Sequence, residues 1–163
     1  MCGIVGYVGQ RDCTDVLMQG LEKLEYRGYD SAGIAVFEKT GIKTVKTKGK
    51  LADMRHKLDI EGSPVGHCGI GHTRWATHGE PSDINSHPHT NGRVTIVHNG
   101  IIENYIELKE FLTEKGYTFT SQTDTEVVAC LLDYYYSERN PLRAITETLK
   151  ELKGSYALGI IFR

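Results

Sequence analysis

The sequence lacks several features that would assign the chain to other classes of protein. None of its apolar runs approaches the roughly 18–20 residues of a membrane span, and no signal-peptide hydrophobic region follows the N-terminus. Its four cysteines form no C-x-x-C pair, so neither a disulfide framework nor a zinc ribbon is indicated. The formal net charge of −2 argues against a nucleic-acid partner. We therefore expect a cytoplasmic globular domain with neither a membrane nor a nucleic-acid partner.

The chain also lacks internal repeats, low-complexity tracts and a phosphate-cradling glycine motif, so a nucleotide-binding fold has no support. Apolar runs and alternating patterns predict strands near residues 4–8, 33–37, 42–48, 68–73, 93–98 and 155–162. Helical periodicity and capping signals predict helices near residues 14–24, 51–58, 104–115, 127–136 and 141–154. Hairpins beside helices indicate an α+β fold, in which antiparallel sheet is covered by helices.

A long segment without periodicity separates two of the predicted strands. Residues 74–92 are rich in Gly, Pro, Ser, Asn and His, and loops of this length in compact domains are often functional. Trp75, the single tryptophan, lies in this segment and is either a lid residue that excludes water or a packing residue. His87 and His89 make an incomplete metal site, so no metal is predicted. His72 and His98 lie in strands and are expected to be hydrogen-bonded core groups.

The N-terminus carries the most distinctive chemical group of the sequence. Removal of Met1 would leave Cys2 with a free α-amine, so that one residue would hold both a nucleophile and a base. An α-amine titrates near ~7.7–8.0 and a free thiol near ~8.5, so the amine can accept the thiol proton near neutral pH. The alternative is an ordinary cysteine at the start of a strand, with Met1 retained.

Four further residues would suit a nucleophile that attacks the amide of an amino acid. Asn99 and Gly100, at a predicted strand end, offer an amide NH2 and a backbone N–H for an oxyanion, although Asn-Gly is also a common hairpin turn. Arg74 could bind a carboxylate and Asp124 an ammonium group. Alternatively, Arg74 is a solvated charge and Asp124 belongs to a helix cap.

Five blocks of residues occur in an order that is specific to one family. They are CGIVG at 2–6, EYRGYDSAG at 25–33, GHTRWATHGEP at 71–81, HNGIIEN at 98–104 and TDTE at 123–126. Together they closely resemble the glutaminase domains of the isomerising glutamine–fructose-6-phosphate aminotransferases, also called glucosamine-6-phosphate synthases. The first block alone is typical of all class II glutamine amidotransferases with an N-terminal cysteine. The second and third blocks differ in phosphoribosyl-pyrophosphate amidotransferases and asparagine synthetases.

The resemblance implies a fold, a nucleophile and a substrate. The fold is that of the N-terminal-nucleophile hydrolases, in which two stacked antiparallel sheets lie between helical layers. Cys2 would be the nucleophile once Met1 is removed, with Asn99 and Gly100 as the oxyanion hole. No metal or organic cofactor is implied. The substrate would be L-glutamine, and the residues implied to bind or surround it are Arg74 for its carboxylate, Asp124 for its ammonium, Gly100, Thr77, His78, the lid residue Trp75 and the supporting Arg27.

The sequence departs from the family in its length. In the family the glutaminase domain continues beyond the position of Arg163, and a separate isomerase domain receives the ammonia within a homodimer. Residues 1–163 are therefore predicted to be a glutaminase domain that is incomplete at its C-terminus, without the isomerase domain. Two alternatives stay open: a non-catalytic glutamine-binding or assembly fragment that retains Met1, and another amidotransferase of the same N-terminal-cysteine class.

Overall fold

The computed structural model describes residues 2–163, so the predicted removal of Met1 lies outside the described residues. Two antiparallel sheets form its centre, with strand orders β1-β4-β2-β3 and β5-β6-β7. The strands are β1 (Gly3–Val8), β2 (Ser31–Glu38), β3 (Gly41–Lys48), β4 (Cys68–Arg74), β5 (His89–Asn91), β6 (Val94–Ile102) and β7 (Gly154–Phe162). The helices are α1 (Cys13–Glu22), α2 (Leu51–Glu61), α3 (Tyr105–Glu114), α4 (Asp124–Tyr135) and α5 (Pro141–Glu151).

The four-stranded sheet is covered by α1 and α2. The sequence offers Asp12 or Thr14 as the cap of α1, and Asp12 is the cap, accepting a hydrogen bond from the Thr14 backbone N–H at 2.9 Å. Helical spacing places Leu17 and Leu21 on the buried face of α1, where they pack with Met54 of α2 and with β2. Strands β2 and β3 pair in register as the predicted hairpin.

The three-stranded sheet is covered by α3, α4 and α5, and α4 is the most deeply buried of these helices. Thr123 caps α4 by accepting from the Glu126 backbone N–H at 3.2 Å. The sequence Thr123-x-x-Glu126 predicts a capping box, but its reciprocal half is not formed, because the Glu126 carboxylate accepts instead from the backbone and hydroxyl groups of Thr120 and Ser121. Glu126 thus fixes the segment that leads into the helix.

The two sheets stack directly on each other through a small apolar layer. Ala35 and Ile70 from the first sheet pack against Val97 and Ile161 from the second. Helices therefore cover both outer faces of the sandwich, which confirms the predicted arrangement of helix, sheet, sheet and helix. No helix between residues 2 and 163 combines the length and apolar character needed to cross a membrane.

Two predictions about the segment before α3 were wrong. The predicted loop 74–92 contains the short strand β5, and β6 does not end at Asn99 but continues to Ile102. Asn99 pairs with Ala157 and Gly100 with Tyr156 of β7, so the hairpin-turn interpretation of Asn-Gly is excluded. The physical reason is that a distant strand supplies the pairing that extends β6, and a local pattern does not report such a partner.

Candidate functional site

Cys2 is held against the end of β4 by the pairing of β1 with β4. Gly3 pairs with Thr73, which places the residue before β1 beside the residues that follow β4. The Trp75 backbone N–H donates a hydrogen bond to Cys2 Sγ at 3.2 Å. The Cys2 thiol in turn donates to the Trp75 carbonyl oxygen at 3.5 Å. The sulfur is therefore held in one position beside the start of β1.

Asn99 and Gly100 reach the same place from β6 of the other sheet. The Asn99 side-chain Nδ2 donates to the Cys2 carbonyl oxygen at 3.4 Å, so the NH2 group of the amide faces the cysteine. Gly100 has a φ of 118°, and a Cβ added there would lie 2.1 Å from the Ser155 carbonyl oxygen. Only glycine fits this backbone without strain.

Arg74 is the last residue of β4, and only 3% of its surface is exposed. Its Nη2 donates to the carbonyl oxygens of His78 and Gly79, the latter at 3.0 Å. Burial lowers the pKa of the Arg74 guanidinium, while the nearby acidic groups of Asp30, Cys2 and Asp124 act in the opposite direction. Within residues 2–163 its Nη1 has no hydrogen-bonding partner. Such a buried donor is unfavourable by itself and suits an anionic ligand group.

Asp124 is the first residue of α4 and is also buried, with 4% exposed. Its Oδ2 accepts a hydrogen bond from the Ile102 backbone N–H at 2.9 Å. The partial positive charge of the helix N-terminus also favours a carboxylate at this position. The side chain is thereby held in one orientation as an anion that can accept from an ammonium group.

These groups line one cavity of about 650 Å³. All nine residues that the sequence singled out contribute to its wall: Cys2, Arg27, Arg74, Trp75, Thr77, His78, Asn99, Gly100 and Asp124. Sequence reasoning did not predict that His87, His98, Ile101, Thr123 and Thr125 would line it as well. Four of these flank predicted residues along the chain, so adjacency to Asn99, Gly100 and Asp124 was an available signal for His98, Ile101, Thr123 and Thr125.

A buried cluster of histidines lies beneath the cavity. His87 stacks on His72 with ring centroids 4.2 Å apart, and its Nδ1 accepts from the His98 backbone N–H at 3.3 Å. Neutral His87 therefore carries its proton on Nε2, from which it donates to Thr125 Oγ1 at 3.1 Å. His98 Nδ1 lies 3.0 Å from the same hydroxyl. Burial lowers the pKa of each of these histidines, which therefore stay neutral at pH 7.

The expectation that His72 and His98 are hydrogen-bonded core groups is confirmed. His89 Nε2 lies 3.0 Å from Thr123 Oγ1, so both histidines of the His-Pro-His segment contact hydroxyl groups. In the described part of the chain, no three or more His, Cys, Asp or Glu side chains come together as a metal site would require.

The fold and the cavity together define a class of protein. A sulfur on the residue before an edge strand, a nearby amide donor and a buried pair of opposite charges form the site expected of an N-terminal-nucleophile amidotransferase. The family model described as a glutamine amidotransferase domain matches residues 72–163. The chain belongs to this family.

Two curated proteins are similar in sequence to the whole chain. It is 57% identical over 163 residues to glutamine–fructose-6-phosphate aminotransferase (isomerizing) from Clostridium tetani, and 61% identical to the protein of the same name from Clostridium perfringens. Each alignment covers 99% of this chain and 26% of the relative. The chain thus spans about a quarter of the length of these curated relatives.

Solved structures of other proteins superimpose on this chain. Glutamine phosphoribosylpyrophosphate amidotransferase from B. subtilis superimposes with a TM-score of 0.84 at 27% identity, over 99% of this chain and 35% of that one. A glutamine aminotransferase class-II domain protein from Silicibacter pomeroyi superimposes with a TM-score of 0.61 at 15% identity, over 82% of this chain. The predicted α+β fold of the N-terminal-nucleophile hydrolases is therefore confirmed.

Proposed function

We propose that the chain hydrolyses L-glutamine to L-glutamate and ammonia through a γ-glutamyl thioester on Cys2. The observation that carries the proposal is the convergence of Cys2, Arg74, Asn99 and Asp124 on one cavity, from four separate segments of the chain. Membership of the glutamine amidotransferase domain family supports the same substrate.

The two buried charges bind the amino-acid end of glutamine. Arg74 takes the α-carboxylate with the Nη1 group that lacks a partner among the described residues, and Asp124 accepts from the α-ammonium group. Thr77 and His78 line the cavity and add polar contacts to this end. Binding at two opposite charges orients the side-chain amide toward Cys2.

The first chemical step forms the thioester. The Cys2 α-amine takes the thiol proton, and the sulfur attacks the amide carbon of glutamine to form a tetrahedral intermediate. The Asn99 NH2 group and the Gly100 backbone N–H stabilise the oxyanion of this intermediate. The protonated amine then gives its proton to the leaving nitrogen, which departs as ammonia while the carbon–sulfur bond is retained.

The second step consumes one water molecule. Water attacks the thioester carbonyl, the same two donors hold the second oxyanion, and glutamate leaves as the thiol is restored. Trp75, which is 55% exposed beside Cys2, covers the cavity and limits the access of bulk water during the first step. Arg27 lines the cavity and helps to form the structural environment of Cys2.

We propose that, within a protein of the length of these relatives, this domain supplies ammonia to a sugar-phosphate isomerase domain. The product would be glucosamine 6-phosphate made from fructose 6-phosphate, as the names of the relatives suggest. The cytoplasmic full-length enzyme would be a homodimer. Residues 1–163 would make up most of its glutaminase domain and perform the glutaminase half-reaction by themselves.

The nucleophile is tested by comparing Cys2→Ala with Cys68→Ala in a chain whose intact mass shows the loss of Met1. Cys68 is a half-buried cysteine in β4, so it controls for the loss of a thiol elsewhere. We expect Cys2→Ala to abolish glutamine hydrolysis while glutamine still binds, and Cys68→Ala to stay active. Labelling with a glutamine-mimicking electrophile should modify Cys2. Hydrolysis that survives Cys2→Ala would refute the assignment, and a glutamine-binding chain that keeps Met1 and is inactive would favour the non-catalytic alternative.

A further inference from the structure

A fully buried histidine contacts the proposed oxyanion donor from the side away from the substrate. His72 lies in β4 with none of its surface exposed, and its Nε2 is 2.8 Å from Asn99 Oδ1. The two residues belong to different sheets, so this polar contact bridges the sandwich directly beneath the cavity. His87 stacks on the His72 ring and limits its rotation.

The position of the proton on His72 follows from its surroundings. Burial lowers the pKa of His72 to about 4, so at neutral pH the ring is neutral and carries a single N–H. Its Nε2 lies 2.8 Å from Asn99 Oδ1, and an amide oxygen can only accept, so this contact requires an N–H on Nε2. The proton therefore lies on Nε2, from which it is donated to the Asn99 side-chain oxygen.

The opposite end of the Asn99 amide determines which of its two polar atoms faces His72. Its Nδ2 donates to the Cys2 carbonyl oxygen. Rotating the amide by 180° would bring two carbonyl oxygens together on the Cys2 side and would place the amide NH2 against the His72 N–H. Both contacts would be repulsive, so the NH2 group is fixed on the side of the nucleophile.

We propose that His72 is a positioning residue for the oxyanion hole: by donating to Asn99 Oδ1, it holds the Asn99 NH2 group toward the carbon attacked by Cys2. The proposal rests on the proposed glutaminase function. His72 does not touch the substrate, so its effect falls on stabilisation of the transition state and not on glutamine binding.

Two substitutions at His72 separate loss of the donor from loss of packing. His72→Leu keeps an apolar side chain of similar size but removes the donor, and we expect kcat to fall about 100-fold with KM for glutamine within about threefold. His72→Gln carries an amide N–H at a similar reach and should recover at least tenfold of that loss. A KM increase that accounts for the whole effect, or no recovery with Gln, would overturn the proposal.

A double-mutant cycle tests whether His72 acts through Asn99. In an Asn99→Ala background, which lacks the group to be positioned, His72→Leu should reduce kcat by less than about twofold. Unfolding midpoints of all four proteins show whether each is folded at the assay temperature. If wild type and Asn99→Ala differ in kcat but the two His72→Leu effects simply multiply, the positioning role is wrong while the glutaminase function stands.

NMR spectroscopy of the Asn99 side chain tests the same role without measuring enzyme activity. In protein labelled with 15N-asparagine, the side-chain NH2 resonances of Asn99 report its hydrogen bonds directly. We expect them to shift and to exchange faster with solvent in His72→Leu, and to stay near their wild-type positions in His72→Gln. Unchanged resonances in His72→Leu would overturn the positioning role, even if wild type proved unable to hydrolyse glutamine and the proposed function failed.

Discussion

The substitution Gly100→Ala adds only one methyl group, but we expect it to lower both the stability of the fold and the rate of glutamine hydrolysis. The Cβ of Gly100→Ala would lie 2.1 Å from the Ser155 carbonyl oxygen and 2.9 Å from Tyr156 Cα. Both neighbours are backbone atoms of β7, which pairs with β6 on both sides of this position, so neither can move by a simple change of rotamer. The φ of 118° adds a second conflict, because side chains rarely tolerate that region.

The magnitude follows from adding these two conflicts. A residue held in a sparsely populated backbone region costs about 1–3 kcal/mol, and overpacking against a fixed neighbour costs a further 1–3 kcal/mol or so. We therefore expect Gly100→Ala to lower the free energy of unfolding by about 2–6 kcal/mol. If the backbone shifts to relieve the clash, the Gly100 N–H moves away from the oxyanion, and kcat should fall by about 10²–10³.

The assay pairs urea unfolding with glutaminase kinetics, normalised to the fraction of folded protein. Gly6→Ala in β1 is a matched control, because a Cβ there meets nothing within 4 Å. That control should change stability by less than about 1 kcal/mol and leave kcat unaltered. The reasoning would be refuted by a Gly100→Ala variant that matches Gly6→Ala in both stability and kcat.

Three other outcomes can be measured in the same protein. Burial lowers the pKa of His72 to about 4, so between pH 6.5 and about 4 its side chain is protonated in the unfolded state but not in the folded state. As the pH falls through this range, His72 should therefore lower the free energy of unfolding by about 1.4 kcal/mol per pH unit. Urea unfolding measured at several pH values would show this slope. Arg74→Lys replaces a forked donor by a single point of contact and should raise KM for glutamine about 10–100-fold, as steady-state kinetics would show. Trp75→Ala removes a side chain that is 55% exposed, so the free energy of unfolding should stay within about 0.5 kcal/mol of wild type. The KM for glutamine should rise in this variant. A large loss of stability would instead show that Trp75 packs in a core.

Local patterns in the sequence were sufficient to predict most of the elements and six of the nine predicted residues that line the cavity. The α1 cap at Asp12 and the β2–β3 hairpin depend on contacts between neighbours in the chain, which periodicity and turn residues report directly. From the residues alone, Cys2, Arg74, Asn99 and Asp124 were candidates with open alternatives. Thr77, His78 and Arg27 came only from the resemblance, and their roles in the site stay predictions.

Most of the features that escaped prediction depend on partners distant in the sequence. β6 continues past Asn99 because β7, more than fifty residues later, supplies hydrogen bonds to it. The half-formed capping box at Glu126 has a nearer cause, since the preceding residues Thr120 and Ser121 compete for its carboxylate. The histidine cluster joins β4, β6 and the segment before β5, and no local spacing encodes which ring stacks on which.

The two sheets contribute different residues to the site, so the proposed reaction requires that the sheets pack against each other. The first sheet supplies Cys2 and Arg74, and the second supplies Asn99 together with Asp124 at the start of α4. Neither sheet by itself contains both the proposed nucleophile and a proposed oxyanion donor. The apolar layer between the sheets is small, and the His72–Asn99 hydrogen bond continues it toward the cavity. A change in the spacing of the sheets therefore alters the distance from the nucleophile to its oxyanion donor, even when each sheet keeps its own hydrogen bonds.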